Sequence, residues 1–134
     1  MPIKRIVAPT VTEPAAGLWS NCLLVDGVAY IAGLTARGTS FDAVEGDDAY
    51  AQAKVIFGKM RALVEAAGGS MADVVKVVVY VTDMRDREGV WRARREVFNG
   101  DFPTSTLIGI SQLADPRMKV EIEAVAHIGA SARG

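Results

Sequence analysis

F-P-T-S-T-L-I-G-I-S-Q-L-A-D-P-R-M-K-V-E-I-E-A-V-A-H-I, residues 102–128, is the stretch whose reading decides the fold. Two strand-like runs, 105–110 and 118–128, flank a polar connection holding Asp115 and Pro116, and the simplest reading joins them as an antiparallel pair. The second run alternates. Val120, Ile122, Ala124 and Ala126 fall on one side, and Lys119, Glu121, Glu123, Val125 and His127 on the other, because successive strand side chains point to opposite faces. One face is therefore core. The other carries two carboxylates, Glu121 and Glu123, about 7 Å apart along the strand. Carboxylates so placed are solvated, paired with cations or lining a site.

Upstream of that stretch the chain reads as strands, helix, strand, helix. Residues 3–7 read as a first strand and 8–17 as a loop with two prolines. Residues 21–25 and 28–32 read as a hairpin around Asp26-Gly27, a pair that favours the positive φ angles of a type I′ turn. Residues 33–46 are polar, glycine-punctuated and contain Arg37, which reads as a long loop. A helix follows from Asp47 or Asp48 to about Ala67, with apolar residues at three- and four-residue spacing, and Gly68-Gly69 ends it. Residues 74–81, V-V-K-V-V-V-Y-V, read as a central strand covered on both faces. A second helix runs from Asp83 or Asp86 to Phe98, burying Val90, Ala93 and Val97. The predicted architecture is a single α+β domain with about six strands and two helices on one sheet face. The other face keeps apolar residues such as Val125, so self-association is expected to cover it.

Composition narrows the function classes. The chain has 134 residues, half of them hydrophobic, and a net charge of −1. That length suits one domain, and the charge gives no electrostatic footprint for nucleic acid. No apolar run approaches the length of a membrane span and no signal peptide is evident at the start, so a cytoplasmic location and no membrane partner are expected. The lone cysteine, Cys22, opens an apolar run and reads as packing. No metal-ligand spacing, glycine-rich phosphate loop or Ser-His-Asp set is present, and no cofactor is expected. His127 lies six positions beyond Glu121, roughly 20 Å along a strand, so the two do not share a site within one subunit.

Three stretches taken together carry a resemblance: A-L-V-E-A-A-G-G-S-M-A-D-V-V-K-V-V-V-Y-V-T-D-M at 62–84, F-P-T-S-T at 102–106 and K-V-E-I-E-A-V-A at 119–126. They resemble the RidA/YjgF family of reactive intermediate deaminases, also labelled endoribonuclease L-PSP. The resemblance implies a chorismate-mutase-like α+β fold and a homotrimer that binds a small molecule in clefts between subunits. It also implies that Glu121 is the signature glutamate and Gly33 the glycine at the end of the third strand. Trp19 stands where many members have tyrosine, and Trp91 and Arg94 lie near family Asn and Tyr positions. Deaminase members carry an arginine two residues after the proline of the F-P segment, whereas Ser105 stands there in this chain, and Ala32 replaces a common serine before Gly33.

The implied chemistry is hydrolysis of an enamine or imine, in which arginine grips the substrate carboxylate and glutamate places the attacking water. Serine offers one neutral hydrogen bond, so the missing fork costs about 1.5 to 3 kcal/mol of binding to an α-carboxylate. The candidates are therefore Glu121 as catalytic residue, with Trp19, Gly33, Arg37, Trp91, Arg94 and Ser105 as substrate-binding residues. Arg37, Arg92 and Arg94 are the available substitute cations. Two function classes follow: an enamine or imine deaminase avoiding simple α-amino-acid imines, or a non-enzymatic trimer that binds a metabolite or protects proteins. Ribonuclease activity ranks third, because a catalytic RNA site needs cations beside the phosphates.

Overall fold

The computed structural model describes residues 2–40 and 42–133. Six strands, β1 (Lys4–Arg5), β2 (Cys22–Val25), β3 (Val28–Leu34), β4 (Val74–Val81), β5 (Thr104–Gly109) and β6 (Val120–His127), form one sheet. Two helices, α1 (Ala49–Ala66) and α2 (Arg87–Val97), accompany them. The strand order is β1-β2-β3-β6-β4-β5, so the last strand of the chain lies inside the sheet.

The hairpin forms as the turn residues require. Asp26 (φ 50°) and Gly27 (φ 78°) both take the left-handed region, and β2 and β3 pair antiparallel on either side. The first strand is shorter than expected, two residues in place of 3–7, and β3 runs to Leu34. Asp48 caps α1 by accepting a 2.8 Å hydrogen bond from the Ala51 amide. Of the two starts that the sequence offers, α2 takes the later, with Asp86 as its N-cap; Asp83 instead caps a short 3-10 turn, Met84–Asp86, by accepting from the Arg85 amide.

The predicted β5–β6 pair does not form. β5 lies parallel to β4, whereas β6 pairs antiparallel with both β3 and β4. Residues 82–103, with α2 among them, supply the helical crossover that a parallel pair needs, and residues 110–119 then carry the chain past β4 to its far side. A second expectation also changes: β4 is an interior strand, but only its helix-facing side is sealed. Val77, Val79 and Val81 are buried, while Lys76 is exposed and Val78 and Tyr80 are half-buried on the opposite side.

The core lies between the sheet and the helices. Ile56, Phe57, Met60, Leu63 and Val64 of α1 pack onto Val120, Ile122, Ala124 and Ala126 of β6, whose alternation is as the sequence indicates. Burial of side chains of this size stabilises by about 1.5 to 3 kcal/mol each. Phe57 meets Phe98 edge to face, with ring centroids 5.7 Å apart. Two buried polar groups fasten the layers. Gln52 donates to the carbonyls of Gly46 (3.1 Å) and Arg117 (2.9 Å) and accepts from the Lys119 amide (2.8 Å). Asp73 accepts from the amides of Ser70, Gly129 and Ser131, fastening the segment after β6 to the start of β4. Burial pushes the Asp73 carboxyl upward, but the bonds from Ser131, Gly129 and Ser70 outweigh it and hold the group at about 2.

Both helices cover one sheet face. The other carries Tyr30 (52 % exposed), Val125, Tyr80, Glu121, Glu123 and Ile108 and has no cover within the subunit. Among the described residues no helix is long and apolar enough to cross a membrane.

Candidate functional site

Glu121 projects from β6 on the uncovered face, and a bulge in its neighbour gives it room. The β3–β6 register shifts between Ile31 and Leu34, and Gly33 falls in that irregularity. A Cβ built on Gly33 would lie 2.6 Å from Glu121 Oε2, so glycine leaves the carboxylate the position it occupies and any larger residue would displace it. The Ala32 amide donates to the Asn21 carbonyl at 2.9 Å, which fixes the bulged segment against the chain before β2.

The same asparagine positions Trp19. Indole Nε1 donates to Asn21 Oδ1 (3.1 Å), and Asn21 Nδ2 donates to the Thr12 carbonyl and to Glu13 Oε2 (both 3.1 Å). Trp19 is thus held at its polar edge while 47 % of the residue stays exposed. Trp19, Ala32, Gly33 and Glu121 line one cavity of about 270 Å³.

Burial raises the Glu121 carboxyl above its ordinary value, and the neighbouring Glu123 charge adds to the effect. Glu123 is in turn held by Tyr80, whose hydroxyl donates to Oε1 at 2.5 Å. That bond raises the Tyr80 phenol, assisted by burial and by the charges of Glu123 and Glu121. The Glu123 charge beside Glu121 makes a second charge there costly. The Lys119 partner that would make Glu121 a structural ion pair is not found: among the described residues Glu121 forms no ion pair. The two carboxylates therefore have different tasks, Glu123 bonded and Glu121 facing the cavity.

Ser105 belongs to a separate group. In the parallel β4–β5 register it lies beside Val77, so its side chain points to the helix-covered side, opposite to Glu121. There Arg94 Nη1 on α2 donates to Ser105 Oγ at 2.6 Å. Burial and then the nearby Arg95 charge pull the Arg94 guanidinium below its ordinary value, and it remains a cation at any neutral pH. Trp91 stands one turn earlier on α2 with the Arg87 guanidinium 6.0 Å from its ring centre. Arg92, exposed on α2, lies over the Tyr50 ring of α1 with its guanidinium carbon 4.0 Å from the ring centre. Within one subunit, then, Trp19, Gly33 and Glu121 come together, and Arg94 and Ser105 meet on the other side of the sheet, with Trp91 beside Arg87 rather than in either group.

Arg37 follows β3 in the loop, where it bridges to Val44. Lys59 of α1 ties that loop down, its Nζ donating to the carbonyls of Thr35 (2.7 Å) and Arg37 (2.5 Å). Burial lowers the Lys59 ammonium, with Glu45 raising it and the Arg37 charge lowering it further. Cys22 is fully buried, and burial together with the Glu13 charge lifts its thiol to about 11, which makes it packing as the sequence suggests and no nucleophile. Among the described residues no cluster of His, Cys, Asp and Glu is arranged to hold a metal ion.

Sequence reasoning missed Asn21, Lys59 and Tyr80. Tyr80 was visible as the one aromatic in a β-branched run directly before a polar turn. Nothing in the local sequence marks Lys59, whose partners are carbonyls from a loop more than twenty residues away.

A family model described as Endoribonuclease L-PSP matches residues 10–128. Among solved structures, a protein of unknown function from Pseudomonas aeruginosa is 40% identical with a TM-score of 0.85, over 95% of this chain and 93% of that one. RidA from an Antarctic Psychrobacter is 27% identical with a TM-score of 0.84, over 93% and 99%. A member of the YjgF/YER057c/UK114 family from Mycobacterium tuberculosis is 26% identical with a TM-score of 0.80, over 95% and 100%.

Proposed function

This chain belongs to the endoribonuclease L-PSP family, the RidA/YjgF group, and from that premise we propose that it is an enamine or imine deaminase working as a homotrimer. The single observation that carries the reading is Glu121, a carboxylate with no ion-pair partner among the described residues, raised by burial, set against Gly33 and opening into a cavity walled by Trp19. A carboxyl group tuned upward suits proton transfer near neutral pH better than an ordinary one. In the proposed reaction Glu121 orients a water and takes its proton as the oxygen attacks the C=N carbon. The proton passes to nitrogen and gives a carbinolamine; Glu121 then carries the remaining hydroxyl proton to the amine as the C–N bond breaks, and a carbonyl compound and ammonia leave.

The second wall of the site comes from an adjoining subunit. Arg94 and Ser105 face away from Glu121 in their own subunit, so they complete a Glu121 cavity only across an interface. The uncovered apolar face supplies the reason to associate. Arg94 already gives one N–H to Ser105, which leaves a weaker grip on an α-carboxylate than a dedicated arginine fork at position 105. Imines of simple α-amino acids are therefore poor substrates, and larger or less anionic ones that stack on Trp19 are favoured.

The experiment is an ammonia-release assay on a panel of imines generated in place, running from 2-iminopropanoate to bulkier members, with sedimentation on the same sample. Turnover of a bulkier imine by a particle three times 14.3 kDa, lost in Glu121→Gln, supports the reading. A monomer, or turnover indifferent to Glu121, overturns it. The Arg94–Ser105 bond also favours a second reading, a trimer that binds a metabolite without turning it over, and this is the outcome if the whole panel binds and none reacts.

A further inference from the structure

One buried asparagine ties together two walls of the Glu121 cavity. Asn21 stands just ahead of β2 and is 6 % exposed. Its carbonyl accepts from the Ala32 amide at 2.9 Å and so holds the irregular end of β3 next to Gly33. Its side chain reaches the other wall, where Oδ1 accepts from Trp19 Nε1 at 3.1 Å. Trp19, Ala32, Gly33 and Glu121 border the cavity, and Asn21 stands behind them.

The bonds around that side chain fix its orientation. Nδ2 commits both of its hydrogens, one to the Thr12 carbonyl and one to Glu13 Oε2, each at 3.1 Å. Turning the amide over would set Oδ1 against that carbonyl and that carboxylate and point an NH2 group at the indole N–H, so the three bonds together keep Oδ1 toward Trp19. Glu13 is anchored in turn, because Arg5 of β1 donates to its Oε1 through Nε (3.1 Å) and Nη2 (2.7 Å). An indole has one donor, and here it is committed to Asn21. What Trp19 offers a ligand is therefore ring carbon surface, and Ala32 and Gly33 are too small to fill the space beside it. An aromatic face held in this way favours a flat group laid against it.

We propose that Asn21 is the positioning residue that sets specificity at this site: by fixing the Trp19 indole relative to Gly33 and Glu121, it selects substrates with a planar unsaturated or aromatic group on the reacting C=N carbon. The proposal rests on Glu121 marking the reacting end, and it adds the character of the group beside that end. Asn21 touches no reacting atom, so its effect falls on binding and KM rather than on kcat.

Calorimetric titration of the intact protein with acetophenone and with cyclohexyl methyl ketone tests this, since the two ketones differ in flatness far more than in size and neither can release ammonia. Acetophenone is expected to bind about three- to tenfold more tightly, the worth of one stacked aromatic pair. Asn21→Leu should erase that preference. Glu13→Ala, a change at a half-buried position that removes one of the bonds orienting the amide, should reduce it part way and decides the matter if Asn21→Leu does not fold. In Trp19→Phe protein, which lacks the indole N–H, adding Asn21→Leu should weaken acetophenone less than twofold further. No preference in the parent protein, a preference that survives in the Asn21 and Glu13 variants, or losses that add in the double variant would each overturn the proposal. A preference lost with Asn21 in a protein that turns over no imine refutes the deaminase reading and leaves this one standing; turnover that needs Glu121 without any such preference does the reverse.

Discussion

Glu121 and Ser105 are two strands apart in one sheet, and their surroundings differ in kind. Glu121 sits on the face without helices, raised by burial, with Gly33 cleared away for it and Trp19 held beside it. Ser105 sits on the helix side of the edge strand, exposed and bonded to a cation from α2. One region is built to alter a carboxylate and the other to hold a guanidinium in position. A single subunit cannot bring them to one substrate, because β4 and the sheet itself lie between them. Unlike regions on opposite faces can meet when one copy presents its first region to the next copy's second, a head-to-tail contact that forms a ring where the rotation between copies closes.

The comparison breaks most readily at Glu121. Glu121→Gln keeps size and shape and is expected to lower turnover about a hundredfold or more with sedimentation unchanged, since water placement and proton transfer contribute on that scale. Unaltered turnover would make Glu121 a structural residue. Arg94→Met is expected to raise KM about ten- to a hundredfold on anionic substrates, the worth of one charge-assisted hydrogen bond, with a smaller change in kcat. Mixing the two impaired variants after reversible dissociation, assayed at low concentration of an anionic substrate, sharpens the point. Activity above either parent is expected, because some interfaces then pair an intact Glu121 with an intact Arg94; no recovery would mean that the two regions do not serve a common site.

Gly33→Ala is a smaller and more local perturbation. The added methyl displaces the Glu121 carboxylate and is expected to cost about tenfold in kcat, since misplacement by an ångström is expensive in a preorganised site. A loss of that size in kcat/KM carried wholly by KM would show that Gly33 shapes binding only.

The smallest effect concerns stability. A carboxyl raised in the folded state favours the protonated form, so its contribution is present below the ordinary glutamate pKa and is lost as pH rises through the raised value. Glu121→Gln should therefore raise Tm on the order of a degree or two at pH 8 and leave it unchanged at pH 4. Thermal melts at the two values decide this, and equal shifts at both would remove the argument that burial tunes the group.

Much of this was legible before any coordinates. The alternation from Val120 to Ala126 marks one core face because a strand has period two, and the Asp26-Gly27 turn and both helices follow from equally local rules. The pairing of β5 with β6 was misread because neighbours in sequence are not always neighbours in a sheet, and a helix placed between β4 and β5 permits the parallel alternative. For the site, Glu121, Gly33 and Trp19 were legible through the resemblance and do gather in one place. What could not be read was that Ser105 faces away from them. A strand's face depends on its register with its partner, and with β5 assigned to the wrong partner that register was out of reach. Arg94 stood among three substitute cations, and only the packing of α2 beside β5, which brings its guanidinium to Ser105, singles it out.

The position of β6 has a bearing on how the protein is made. Translation delivers residues in order, at about 5 to 20 per second, and the strand that joins β3 to β4 arrives last. Until it emerges, the nascent chain holds two partial sheets, β1-β2-β3 and β4-β5, each with an open edge where β6 will insert. The interval between synthesis of β3 and release from the ribosome is thus the time of greatest exposure to edge-to-edge aggregation. A chain cut short before Val120 yields no complete sheet and, since Glu121 rides on the missing strand, no partly competent product.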